Sequence, residues 1–336
     1  MKRILIIYMG GTIGMKENPA TGSLAPVDFS EIEREVPELH KLGAELTTLT
    51  FSPVIDSSNV SHACWVRLAT MIEQNYDLYD GFVVLHGTDT MSYSASALSF
   101  MLENLAKPIV FTGSQIPIGV IRTDGKENLI SAIEVAAAGI ANEVTIFFQD
   151  VLMRGNRTTK HNSEYFNAFA SHNLPPLAEA GIKIKYNEAL LLSTEPNLPL
   201  KVHKNLSSDI ATIKLHPQIR PEEISAILNI EGLRAVILES YGAGNGPTQG
   251  WLLELLGAAI ERGVIILNVT QCAAGAVNMS LYDTGKLFED IGVIGARDIT
   301  FEAAITKLSY LLGRQDYTPE MVKIALKTEI RAEITI

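Results

Sequence analysis

Ile4-Leu5-Ile6-Ile7-Tyr8-Met9, followed at once by Gly10-Gly11-Thr12-Ile13-Gly14, is the stretch on which the fold turns. After Met1-Lys2-Arg3 the apolar run mimics a signal peptide, but it stops at Met9 and meets paired glycines with no small-residue cleavage site. A secretory core needs ~7–15 apolar residues. The segment therefore reads as a buried first strand that ends in a tight, glycine-rich turn, and the chain is expected to remain in the cytoplasm.

The same texture recurs outward from that strand. Short Val- and Ile-rich runs at Leu46–Phe51, Gly81–Leu85, Pro108–Thr112 and Val144–Phe148 alternate with helical stretches at Ser61–Gln74, Ser92–Glu103 and Gly125–Ala138. Ser61 and Asp124 stand where helix N-caps belong. This alternation is the mark of an α/β protein built on a largely parallel sheet. A second set follows: strands at Ile210–Leu215, Ala235–Leu238 and Val264–Val269, with helices at Pro221–Leu228, Gln249–Arg262, Phe301–Leu312 and Pro319–Leu326. A chain of 336 residues exceeds the span of one hydrophobic core. Two α/β domains are expected, 1–190 and 210–336, joined by a polar linker at 191–209.

Composition narrows the function. Apolar residues make up 47% and charged residues 19% of a chain with formal net charge -11, which fits a packed globular protein and repels a phosphate backbone. Nucleic acid is not an expected partner. No stretch reaches the ~20 apolar residues of a membrane span. Cys64 and Cys272 are the only cysteines, too few for a disulfide framework. No histidine pair has the H-E-x-x-H spacing of a metal site, and His86 reads as a structural residue.

In open α/β sheets, ligands bind beyond the carboxyl ends of strands. Four segments there are rich in small polar residues: Gly10-Gly11-Thr12-Ile13-Gly14, Asp56-Ser57-Ser58-Asn59, His86-Gly87-Thr88-Asp89-Thr90 and Gly155-Asn156-Arg157-Thr158-Thr159-Lys160. Singly, each is a turn or a helix cap. Together they bring two threonines, an aspartate and a lysine toward one sheet edge. A threonine hydroxyl is a weak nucleophile that needs a base. A partly buried lysine oriented by a carboxylate can act as one, and glycine-rich backbone N–H groups can stabilise an oxyanion. Rival motifs fail on detail. Gly113-Ser114-Gln115 is not a G-x-S-x-G elbow. The turn Tyr241–Pro247 has Pro247 where a dinucleotide fingerprint needs its third glycine, and the next strand ends without an acid for the ribose.

Gly10-Gly11-Thr12-Ile13-Gly14 and His86-Gly87-Thr88-Asp89-Thr90-Met91 resemble the two signature motifs of the bacterial-type L-asparaginase family. The likeness continues through Phe111–Gln115, Arg154–Lys160 and Ser240–Asn245, and so covers almost the whole chain. With no signal peptide, the sequence is similar to the cytoplasmic type I branch. The resemblance implies hydrolysis of the side-chain amide of L-asparagine to aspartate and ammonia, without a cofactor, in a homodimer or homotetramer built from intimate dimers whose interface holds the site. It implies Thr12 as nucleophile and Thr88, Asp89 and Lys160 as a second triad. Asp89 is then the partner of the substrate's α-ammonium group. Asp56, Ser57 and Ser58 hold its α-carboxylate end, and Asn245 reaches it from the partner subunit.

Two departures from the family matter. Lys16–Val27 has the look of an active-site lid, yet it lacks the tyrosine that many relatives place there; Tyr310 is a candidate substitute, against its reading as a packed helix residue. In some type I relatives, an arginine before Ser-Tyr-Gly receives the carboxylate of a regulatory asparagine. Here that position is Glu239, while Cys272 matches another part of that pocket. A hyperbolic rate curve is expected, with local pairing of Glu239 to Arg234 or Arg297 as the alternative in which the pocket works through other residues.

Overall fold

Ile4 to Tyr8 are all completely buried, because their strand lies inside a parallel sheet covered on both faces. The computed structural model describes residues 1–17, 24–26, 29–194 and 198–335, and these form two units, Met1–Lys204 and Asn205–Ile336. In chain order the first unit carries β1 (Lys2–Tyr8), β2 (Met15–Glu17), β3 (Leu24–Pro26), α1 (Phe29–Glu35), β4 (Ala44–Thr50), α2 (His62–Asn75) and β5 (Gly81–Leu85). Then come α3 (Met91–Met101), β6 (Leu102–Glu103), β7 (Ile109–Thr112), α4 (Gly125–Ala138), β8 (Val144–Phe148), β9 (Val151–Arg154) and β10 (Thr159–Lys160). The unit ends with β11 (Phe169–Ala170), β12 (Ala178–Ala180), β13 (Ile184–Tyr186) and β14 (Lys201–Val202).

Among the described residues, the main sheet has the order β13-β12-β9-β8-β7-β5-β1-β4. Strands β8, β7, β5, β1 and β4 are parallel, whereas β9, β12 and β13 join antiparallel. The core on one face unites Ile4, Ile6 and Tyr8 of β1 with Leu129, Ile133 and Ala136 of α4 and Ile32 of α1. The alternate residues Leu5, Ile7, Phe82 and Val84 are equally buried on the other face. The mixed α/β expectation with a largely parallel sheet holds, and the antiparallel extension from β9 onward is added to it.

The two expected caps work differently. Ser61 occupies the N-cap position of α2, but its hydroxyl makes no cap bond and lies 3.6 Å from the Cys64 sulfur. Asp124 precedes α4 and does not cap it either. Its carboxylate accepts from the backbone N–H groups of Gln115 and Ile116 at 3.0–3.1 Å and so pins the loop after β7. The helix turn is served instead by Thr123, whose Oγ1 accepts from the Gly125 N–H.

The second unit contains β15 (Ile210–Lys214), α5 (Pro221–Leu228), β16 (Ala235–Ser240), α6 (Gly250–Glu261), β17 (Ile265–Thr270), α7 (Asp283–Asp290), β18 (Ile294–Gly295), α8 (Phe301–Gly313) and α9 (Pro319–Lys327). Its sheet, β15-β16-β17-β18, is parallel throughout. Ile213, Val236, Leu238 and Ile266 pack with Ile224, Leu252, Leu256 and Phe288 as its core. No described helix is long and apolar enough to cross a membrane.

Candidate active site

Because β1, β4, β5 and β7 run parallel, their carboxyl ends share one edge, and backbone bonds stitch the loops there together. Met9 N–H donates to Leu85 O, Phe51 N–H to Tyr8 O, Ile55 N–H to Met9 O and His86 N–H to Thr112 O, all at 2.7–3.0 Å. Two glycines allow the loops after β1 and β5 to cross closely. Gly11 has φ +93°, and a Cβ there would stand 2.4 Å from the Gly87 nitrogen; a Cβ on Gly87 would stand 2.5 Å from Ser57 Oγ. At Gly11 only glycine permits both the backbone conformation and the contact, whereas at Gly87 it is the contact alone that a side chain would disturb. Thr12 and Thr88, each one residue beyond this crossing, are thereby brought to neighbouring positions from loops far apart in sequence.

Thr12 opens a short 3-10 turn over Thr12–Gly14. The turn is held from below by Tyr8, whose buried hydroxyl donates to Gly14 O at 2.9 Å, and from the side by Ile118, whose N–H donates to Ile13 O at 3.2 Å. Residues 18–23 and 27 of the expected lid lie outside the described residues; of its remainder, Lys16-Glu17 of β2 and Leu24–Pro26 of β3 belong to an antiparallel ladder.

Lys160, on β10, sits at the centre of the polar contacts. Its Nζ donates to Thr88 Oγ1 at 2.8 Å and to Asp89 Oδ1 at 2.6 Å. The lysine side chain is 17% exposed and the aspartate 65%, so the carboxylate meets solvent while the ammonium is largely shielded. Thr88 in turn donates to Gln115 Oε1 at 3.2 Å. Thus Thr88, Asp89 and Lys160 converge through direct bonds, with the lysine nitrogen held between the Thr88 hydroxyl and the Asp89 carboxylate.

Ser57 is buried under Gly87, and its carbonyl accepts from Thr90 Oγ1 at 2.7 Å. Asp56 caps the turn Ser57–Asn59, accepting from Ser58 N–H at 2.9 Å and Ser58 Oγ at 2.8 Å. Those two donors hold its carboxyl below the usual carboxylate range, against a smaller opposing effect of burial. Asp56 and Ser58 are therefore bonded to one another and not to the Lys160 cluster.

Asn245 belongs to the second unit, in a turn closed by mutual backbone bonds with Tyr241. Its Oδ1 accepts from Thr284 Oγ1 at 2.7 Å. Tyr310 is buried on α8 and accepts from Arg314 Nη1 at 2.7 Å, which is the packed-residue reading. Glu239 pairs with Lys214 at 3.1 Å, not with Arg234 or Arg297, whose guanidinium groups donate to Leu312 O and Thr335 O.

Gln115 is the residue that sequence reasoning passed over. In the sequence it stands out only as part of a motif, and Asp124 holds the backbone from which its side chain meets Thr88. The available signal was its position just beyond the carboxyl end of β7. Among the described residues, no group of three or more His, Cys, Asp or Glu side chains is placed to hold a metal ion.

Comparison with known proteins bears on the whole chain. A family profile described as Asparaginase, N-terminal matches residues 3–192, and one described as Glutaminase/Asparaginase C-terminal domain matches 209–325. L-asparaginase 1 of Escherichia coli (strain K12) is 44% identical over 342 residues, covering 99% of this chain and 98% of that protein. The crystal structure of L-asparaginase I from Vibrio cholerae O1 biovar eltor matches with TM-score 0.91 and 45% identity, over 100% of this chain and 99% of that one. A protein of Mus musculus named 60 kDa lysophospholipase is 40% identical over 356 residues, 100% of this chain and 63% of its own length.

Proposed function

This chain belongs to the asparaginase family, and from that premise we propose that it hydrolyses the side-chain amide of L-asparagine with Thr12 as nucleophile. Thr12 Oγ attacks the amide carbon, and the C–N bond breaks. Ammonia leaves with the hydroxyl proton, and water then hydrolyses the aspartyl ester to regenerate Thr12. Thr88, Lys160 and Asp89 form the proton-handling set. Asp89 presents the solvent-facing anion for the α-ammonium group, Ser57 and Ser58 with Asp56 face the α-carboxylate end, and Asn245 of a partner subunit completes the site in a homodimer or a tetramer of such dimers. No cofactor takes part. A cytoplasmic setting fits the two cysteines, both free thiols.

The observation that carries this reading is the Lys160 ammonium bridging Thr88 Oγ1 and Asp89 Oδ1 beside the crossing that delivers Thr12. Ammonia release by the purified protein, measured with asparagine and glutamine in parallel, tests it. Asparagine is expected to be preferred, within the ~1–3 kcal/mol that one methylene provides unless polar contacts are also misplaced. No release from asparagine at millimolar concentration contradicts the activity, and equal kcat/KM for the two amides contradicts the specificity.

A further inference from the structure

We propose that His86 is a positioning residue, whose imidazole closes the segment from His86 to Ser94 at both ends and so fixes Thr88 against Lys160. The inference rests on the activity proposed above and extends it to a residue outside the Thr88–Asp89–Lys160 set.

His86 is 1% exposed. One ring nitrogen, Nδ1, lies 2.7 Å from Gly87 O, and the other, Nε2, lies 2.8 Å from Ser94 Oγ on α3. Ser94 Oγ is also 2.9 Å from Trp65 Nε1 on α2. An indole N–H only donates, so Ser94 accepts from Trp65 and gives its own proton to His86 Nε2. The ring then carries its proton on Nδ1 and donates to Gly87 O. Burial pushes the imidazole down to about 4, which keeps the ring neutral and this direction of donation intact at neutral pH.

The placement of these bonds goes beyond satisfying a buried histidine. Gly87 is the residue that presses on Gly11 and Ser57, and Thr88 and Asp89 lie between Gly87 and Ser94. A single polar chain therefore runs from α2 through α3 to the backbone directly before Thr88. The same helix reaches the segment that delivers Lys160, since Ser96 Oγ donates to Gly155 O at 3.4 Å. Both members of the Lys160–Thr88 contact are referenced to α3, and the imidazole is the link on the Thr88 side. Displacement of about 1 Å in a reacting constellation costs on the order of 10²-fold in rate.

Steady-state kinetics with asparagine and thermal melts of the wild type, His86→Phe, His86→Asn and Ser94→Ala test the assignment. His86→Phe keeps a ring against Phe111 and loses both hydrogen bonds, so kcat should fall roughly 10- to 100-fold with KM within about threefold. His86→Asn retains a donor for Gly87 O and should recover most of that loss. Ser94→Ala removes one buried oxygen and leaves the Trp65 indole N–H and His86 Nε2 without their partner, at a modest cost in Tm. It should lower kcat at least ~3-fold at an unchanged KM in protein that is still folded, a split that a purely structural role does not produce, and it decides the matter if His86→Phe does not fold. Wild-type kcat in Ser94→Ala or in folded His86→Phe overturns the proposal, as does a His86→Asn variant no faster than His86→Phe. A wild type without turnover removes the proposed activity, and this inference with it. An active wild type with full-rate variants removes this inference alone.

Discussion

Lys160, bonded to Thr88, and His86, two residues before that threonine, illustrate how differently two titratable side chains are used around one site. Lys160 faces an exposed carboxylate and a hydroxyl, so its charge is matched where substrate is expected to bind. His86 is enclosed, neutral and committed to two hydrogen bonds, and that has a consequence for stability. Its value falls from 6.5 to about 4 on folding, with desolvation as the main cause. Between those values the native state binds fewer protons than the unfolded chain, so stability rises with pH. The contribution is fully present above about pH 6.5 and is lost as pH falls toward 4, amounting to roughly 3 kcal/mol. His62, also held low by burial, acts in the same direction. Denaturant unfolding across this range should show wild-type stability declining on acidification and a shallower decline in His86→Asn. Flat wild-type stability, or an identical slope in the variant, contradicts the account.

At the scale of elements, what was legible follows from burial. Strands β5 and β8 and helices α4 and α5 have the bounds read from sequence, because the strands are apolar on both faces and the helices begin and end at clear polarity changes. Strand β9 is not among the strands that the sequence announces, since its apolar part is only Val151-Leu152-Met153. The chain reverses before it through Gln149 and Asp150, at φ +46° and +64°, a geometry usually announced by Asn-Gly or Asp-Gly. Here a tertiary bond helps hold it, with Gln149 N–H donating to Asn128 Oδ1 at 3.1 Å. Ser61 and Asp124 mark the same limit. Their positions at helix starts were readable, but Asp124's carboxylate serves the Gln115 loop, a long-range choice with no local pattern. The site was legible to the extent that strand-end loops announce themselves by composition: Thr88, Asp89 and Lys160 converge as expected, whereas Gln115 needed the fold to be seen.

For the whole molecule, regulation and turnover are the properties that bind the parts together. At the position where some type I relatives carry an arginine for an effector carboxylate, this chain presents Glu239, which pairs with Lys214 and offers no guanidinium to an incoming carboxylate. A hyperbolic saturation curve for asparagine is expected, and a Hill coefficient clearly above one would show that a regulatory site works through other residues. The most direct test of the central claim is turnover of L-asparagine by the wild type, Thr12→Ala and Lys160→Met, each shown by its melt to be folded. The account predicts ammonia release by the wild type and a loss of ~10²-fold or more in both variants, as when a nucleophile or its base is removed; near-native turnover in Thr12→Ala would contradict it.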